Sequence, residues 1–266
     1  MLADLRRPRD ALLCGCRRFW GTIPPFLSLY CEPLTLSRSL AIEIPRQWVA
    51  TPAGAAALLV AGISLLHLLV AGRFDLSVDE AHYALFGHLL DWSYFDHPPM
   101  VGWLQALVLT LGDSEFLLRL WPVLLSALAS GLLYRLTREL FPEESPWIAF
   151  GAVLFLQSAV IYQLLALALV PDGPLLLFGL AAGLFLFRAL EAGRTRDWLL
   201  VGLFFGLAGL SKYTAVTLVG TAALALAWER RWAVLRTPGP YLAVLVAAVL
   251  ILPVIGWNYQ HEWLSF

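Results

Sequence analysis

The chain has 266 residues, of which 60% are hydrophobic and 14% charged, and its mean hydropathy is +0.75. Soluble domains carry roughly 25% charged residues, so composition argues against a soluble globular class and for a protein of the bilayer. A net charge of -1 leaves no basic field for a nucleic-acid partner.

Residues 1–47 are arginine-rich (Arg6, Arg7, Arg9, Arg17, Arg18, Arg38, Arg46) and interrupted by Pro8, Pro24, Pro25, Pro33 and Pro45. That pattern predicts a cytosolic or membrane-surface tail over residues 1–50 rather than a signal peptide. Cys14, Cys16 and Cys31 lie here and form neither a paired framework nor a zinc pattern. From Ala53 to Gly72 the chain then offers one bilayer thickness of apolar residues, since a crossing helix needs about 20.

A polar and aromatic stretch follows, Leu76 to Gly102, holding His82, His88 and His97 with Asp79, Glu80, Asp91 and Asp96. Ser77 and Glu80 have capping-box spacing, which predicts a helix from Val78 to about Leu90. Pro98 and Pro99 start a second helix ending near Gly112, with Met100, Trp103, Leu104, Leu107 and Leu111 at helical spacing. Both are expected to lie at the membrane surface, with Trp92, Tyr94 and Trp103 as interfacial anchors.

Further spans read from about Phe116 to Tyr134, Pro146 to Leu165, Pro174 to Phe187, Trp198 to Leu210, Thr214 to Trp228 and Tyr241 to Trp257. The fold expected over residues 51–266 is therefore all-α, a polytopic transmembrane bundle of about seven spans with short interfacial helices in its first outer loop. Gly202, Gly206 and Gly209 favour close helix packing. The stop at Phe266, inside an outer segment, predicts a domain that continues.

Seventeen arginines and one lysine, Lys212, make up the 18 basic residues. The arginine clusters fall before the first span and after the second, fourth and sixth, on one side of an alternating topology, and such loops stay cytoplasmic. The histidine-rich loop, the Pro171-Asp172-Gly173 break, the Ser211-Lys212-Tyr213 turn and the C-terminal segment then share the outer face. An inner-membrane protein with a cytosolic N-terminus and a periplasmic site is expected.

Several residues carry two readings. Asp79 and Glu80 are first-turn acids, which the helix macrodipole stabilises by about 0.3–1 kcal/mol. Glu80 is engaged by its cap, whereas Asp79 is free to take a proton from a hydroxyl nucleophile. Asp96 and His97 form either a turn before a helix or a phosphate or metal contact. His82 and His88, six apart, do not make a ligand pair and read as packing or interfacial residues. Asp172 is a turn residue or an ionisable group at a membrane face, a functional candidate by default. Lys212 and Arg119 are each a phosphate contact or an interfacial anchor.

Five pieces in order resemble the GT-C type membrane glycosyltransferases, in particular bacterial protein-mannosyltransferase-like and aminoarabinose-transferase-like enzymes. They are Val78-Asp79-Glu80-Ala81-His82-Tyr83, Tyr94-Phe95-Asp96-His97-Pro98-Pro99-Met100, Glu115 with Arg119, Pro171-Asp172-Gly173-Pro174-Leu175, and Gly206 to Lys212. The resemblance implies transfer of a sugar, with inversion, from a polyprenyl-phosphate carrier to a lipid, glycan or protein acceptor at the outer face. It implies Asp79 as catalytic base and Asp172 as second acid. Asp96, His97, Arg119, Lys212 and Glu80 would contact substrate, and Asp79, Asp96 and Asp172 would be the carboxylates for a divalent metal ion. Some relatives carry other residues at the Asp96-His97 pair, and a small polar residue where Pro171 stands. Partners would be the lipid-linked donor, the acceptor and membrane lipids. A multi-span transporter with Asp79, Asp172 and Lys212 along a solute path, and a catalytically silent assembly subunit, are the alternatives.

Overall fold

A computed structural model of the protein describes residues 51–266, and every described element is helical. The expected N-terminal tail and its cysteines lie outside the described residues. The elements are α1 (Pro52–Val70), α2 (Val78–His88), α3 (Met100–Leu109), α4 (Glu115–Leu118), α5 (Leu120–Leu140), α6 (Trp147–Ser158), α7 (Val160–Leu165), α8 (Asp172–Ala192), α9 (Thr195–Ser211), α10 (Ala215–Trp228) and α11 (Gly239–Gln260). A short 3-10 turn, Trp232–Arg236, precedes α11.

Four helical stretches are long and apolar enough to cross a bilayer: Pro52–Val70, Glu115–Leu140, Asp172–Ala192 and Gly239–Gln260. The other three expected spans are shorter than the ~20 residues a crossing needs: α6 has 12 residues, α9 has 17 and α10 has 14. An all-α membrane bundle is thus observed, with the span count reached by length in four cases rather than seven.

Local chemistry explains the ends and breaks of these helices. Thr51 Oγ1 accepts the Gly54 N–H at 3.0 Å to start α1, and Gly193, with φ +64, closes α8 in the left-handed region that costs glycine little. The third expected span is not continuous, because Ala159 (φ -76, ψ 118) leaves the helical region between α6 and α7. The Gln163 amide donates to the Gln157 carbonyl at the break, and buried polar side chains on either side of it bond across to α5, as glue between helices in an apolar interior. Tyr162 donates to the Ser126 carbonyl at 2.7 Å and the Gln157 amide donates to Ser130 Oγ at 3.0 Å.

Helices α1, α5 and α6 pack on one another, α5 packs on α8, α8 on α9 and α9 on α11, while α10 touches α9 and α8. The α9–α11 contact depends on missing side chains. A Cβ at Gly202 would strike the Ala243 backbone, and one at Gly206 would come within 2.6 Å of Leu250. Only hydrogen at these positions lets the two backbones approach, as the glycine spacing predicted.

The loop between α1 and α5 departs from expectation. Helix α3 is half sunk in the bundle: Met100, Val101, Gly102, Gln105 and Val108 are buried, Met100 packs with Leu210 of α9 and Val254 of α11, and Leu107 on the other face is 58% exposed. Tyr94 is not an interfacial anchor. It is buried, stacks on Phe86 at 3.7 Å, and directs its hydroxyl to the carbonyls of Phe86 (2.8 Å) and Leu89 (3.1 Å). A phenol that finds carbonyl partners can be buried whole, and the close glycine at position 102 leaves space for the ring. Trp92 is exposed.

Candidate active site

The candidate residues converge at the end of the bundle that carries α2 and α3. Helix α2 begins with the expected capping box: Ser77 Oγ accepts the Glu80 N–H at 3.3 Å, and Glu80 Oε2 accepts the Ser77 N–H at 2.9 Å. The helical period then separates two neighbouring acids. Glu80 is 6% exposed and faces the bundle, whereas Asp79 is exposed, one turn before Tyr83.

Arg119 reaches Glu80 from the kink between α4 and α5. Its Nε and Nη2 donate to the two carboxylate oxygens at 2.8 and 3.0 Å. Nη1 donates to the carbonyls of Ala71 (2.5 Å) and Phe74 (2.9 Å), and Nη2 to that of Asp75 (3.0 Å). All five guanidinium N–H groups are thereby used, and Arg119 is 1% exposed. This corrects two expectations. Neither Arg119 nor Glu80 is free to contact a substrate, because each satisfies the other and together they clamp residues 71–75 to the start of α2. Burial pushes the Glu80 carboxyl up, but the Arg119 hydrogen bond and charge and the Ser77 N–H outweigh it, and the carboxyl sits below its ordinary range.

Asp96 sits between two histidines. Its Oδ2 is 3.2 Å from His82 Nε2 and 3.1 Å from His97 Nδ1. Only the His82 contact has hydrogen-bond geometry, while His97 Nδ1 is buried without an aligned partner. Burial raises the Asp96 carboxyl, and the His97 and His82 contacts with its own backbone N–H bring it below the carboxylate norm. His82 had read as a packing residue and instead joins this carboxylate. No local spacing signals the contact, because Asp96 lies fourteen residues on, beyond the end of α2. His88 pairs with Asp113 at 3.4 Å.

Asp172 occupies the first turn of α8, where a turn between helices had been one reading. A proline two residues on, Pro174, is tolerated there because first-turn N–H groups have no intrahelical acceptor. Lys212, at the end of α9, donates its ammonium to both Asp172 oxygens at 2.8 Å. Tyr83 is buried, with its ring edge-on to that of His97 at 5.4 Å. Burial and then the charges of Asp96, Asp79 and Asp172 raise its phenol to about 12, so it stays a neutral hydrogen-bond donor. The sequence quoted Tyr83 within a motif without assigning it a role.

A metal held by Asp79, Asp96 and Asp172 does not fit this arrangement. Asp96 is engaged by histidines and Asp172 by Lys212, and among the described residues no three His, Cys, Asp or Glu side chains gather into a metal-holding group.

Residues 96–257 match the model of the dolichyl-phosphate-mannose-protein mannosyltransferase family. The chain belongs to that family. The mannosyltransferase-family match takes in Asp96, His97, Asp172 and Lys212 and begins after Asp79. The chain is 32% identical over 213 residues to lipid A galacturonosyltransferase RgtD of Rhizobium johnstonii, covering 77% of this chain and 43% of that protein. It is 28% identical over 212 residues to the undecaprenyl phosphate-alpha-4-amino-4-deoxy-L-arabinose arabinosyl transferase of Edwardsiella ictaluri, covering 72% and 38% respectively. The chain thus spans about two-fifths of the length of these curated relatives. Among solved structures, the S. cerevisiae protein O-mannosyltransferase Pmt1-Pmt2 complex bound to the sugar donor matches 79% of this chain and 34% of its own, with TM-score 0.51 and 22% identity. That likeness supports the fold.

Proposed function

We propose that this protein is an integral-membrane glycosyltransferase that moves a sugar from a polyprenyl-phosphate carrier to an acceptor at one face of the membrane. The observation that carries the reading is Asp79. It is an exposed carboxylate held on a capped helix, three residues before His82, whose ring contacts Asp96. The similarity to a lipid A galacturonosyltransferase and to an undecaprenyl phosphate aminoarabinose transferase supports the donor class.

The chemistry assigns distinct work to each group. A polyprenyl tail stays in the bilayer, so its phosphate and sugar must meet the acceptor at the surface. Asp79 accepts the proton of the acceptor hydroxyl as that oxygen attacks the anomeric carbon. The bond to the carrier phosphate breaks on the opposite side, and the anomeric centre inverts. Departing negative charge is stabilised by a ring N–H of His82 or His97 beside Asp96, and by the Lys212 ammonium. The arginine-rich loops and the positive-inside rule support an inner-membrane setting with the α2–α3 end facing the periplasm. The acceptor is a lipid, glycan or protein hydroxyl.

The test replaces Asp79 by Asn in the full-length protein and follows transfer from a lipid-linked donor. Loss of roughly 100-fold or more, the range of general base catalysis, is expected. Unchanged turnover removes Asp79 from the mechanism.

A further inference from the structure

The loop that carries Asp96 also builds a cleft of about 280 Å³, lined by Leu90, Asp91, Trp92 and Trp103. No step of the transfer chemistry uses it. Its walls are held by one residue. The Trp103 indole N–H donates to the Asp91 carbonyl at 3.1 Å, and the Trp257 indole N–H donates to Asp91 Oδ2 at 2.8 Å. The Trp92 backbone N–H donates to Oδ1 at 2.7 Å. Trp257 is in turn stacked on His261 at 4.0 Å. Each Asp91 carboxylate oxygen keeps lone-pair capacity after these bonds, so the cleft combines two indole side chains, Trp92 and Trp103, with a carboxylate acceptor.

These features select among occupants. The volume sits at the lower bound of small-molecule pockets, roughly 300 Å³, room for one ring. A phosphate or carboxylate would meet the Asp91 charge with no cation among the four lining residues. A ring with one apolar C–H face and several hydroxyls meets both requirements: the face lies on an indole and the hydroxyls donate to Asp91.

We propose that this cleft, on the loop that carries Asp96, is a subsite for an uncharged pyranose ring, a sugar of the acceptor glycan. The acceptor role rests on the transferase reading, whereas ring binding does not. Trp92, 63% exposed, then serves as a sugar platform rather than a lipid anchor.

Saturation-transfer NMR on the full-length protein in nanodiscs tests the cleft, with methyl β-D-glucopyranoside, the matching methyl glucuronoside and glycerol as probes and no donor present. Saturation of the glucopyranoside ring protons is expected, with much weaker signals for the uronoside and glycerol. Trp92→Ala should weaken glucopyranoside binding roughly tenfold, the scale of a lost aromatic stack, and Trp92→Phe should restore part of it. Equal signals from glucoside and uronoside, or binding unchanged in both Trp92→Ala and Trp103→Phe, would overturn the proposal. So would quenching of the Trp92-dependent emission by brominated acyl chains at full strength, since the indole would then lie in lipid. Transfer is assayed separately: sugar binding without any transferase activity removes the enzymatic reading and leaves the cleft, and transfer without sugar binding does the reverse.

Discussion

Replacing Arg119 by Met separates a structural from a substrate-binding role for a residue that sequence alone offered as a phosphate contact. The substitution keeps an apolar stem but strands Glu80, 6% exposed, and releases the carbonyls of Ala71, Phe74 and Asp75. Breaking a buried ion pair from one side costs about 3–5 kcal/mol. At about 2–4 °C per kcal/mol for a chain of this size class, the melting midpoint in detergent should fall on the order of 10 °C. Glu80→Gln in the same background should recover part of that loss by removing the unpaired charge. The pH dependence has a definite sign. The Glu80 carboxyl is depressed in the folded protein, so its stabilisation is complete above the unfolded value of about 4.3 and disappears as pH falls through the folded value. The Glu80→Gln protein should lose that acid limb. A thermal scan across pH provides the assay, combined with binding of a polyprenyl-phosphate sugar. Arg119→Met with an unchanged midpoint and weakened donor affinity would refute the clamp and return Arg119 to the substrate.

Helix α9 should distinguish its glycines sharply. Gly206→Leu, which meets Leu250 and Ala247 of α11, is expected to cost about 1–3 kcal/mol or more by overpacking, while Gly183→Ala on α8, with nothing near its added Cβ, should be neutral or stabilising by roughly 0.5–1 kcal/mol. Equal melting midpoints for the two variants would contradict the close α9–α11 approach. The difference in alkaline absorbance between the parent and Tyr83→Phe should titrate with a midpoint of about 12. A midpoint near the ordinary tyrosine value of about 10 would mean that burial and the aspartate charges do not act on this phenol.

Much of the fold was legible because it depends on local properties. The capping box at Ser77 and Glu80 formed as the spacing required, and the apolar runs became helices. The glycines of α9 lie against α11. Breaks inside helices were less visible: Ala159 carries no proline or glycine signal, and its departure from helix is supported by polar side chains from other segments. At the site, the capping-box spacing anticipated that Glu80 is engaged by its cap, and the structure leaves its neighbour Asp79 exposed. The sequence misjudged His82, since the search for a histidine pair four residues apart ignored an acid fourteen residues away.

The amino-acid sequence by itself determined the class of solvent, the helical content and the residue types at each helix end, because hydropathy and capping act over one or two turns. Tertiary structure alone decided which charges remain available. Glu80 finds Arg119 across 39 positions and Lys212 finds Asp172 across 40, and Trp257 reaches Asp91 across 166. A charge carried into a low-dielectric interior must be paired. Only the three-dimensional path of the chain brings the partner within hydrogen-bond distance, and so leaves Asp79 as the exposed acid at the head of α2.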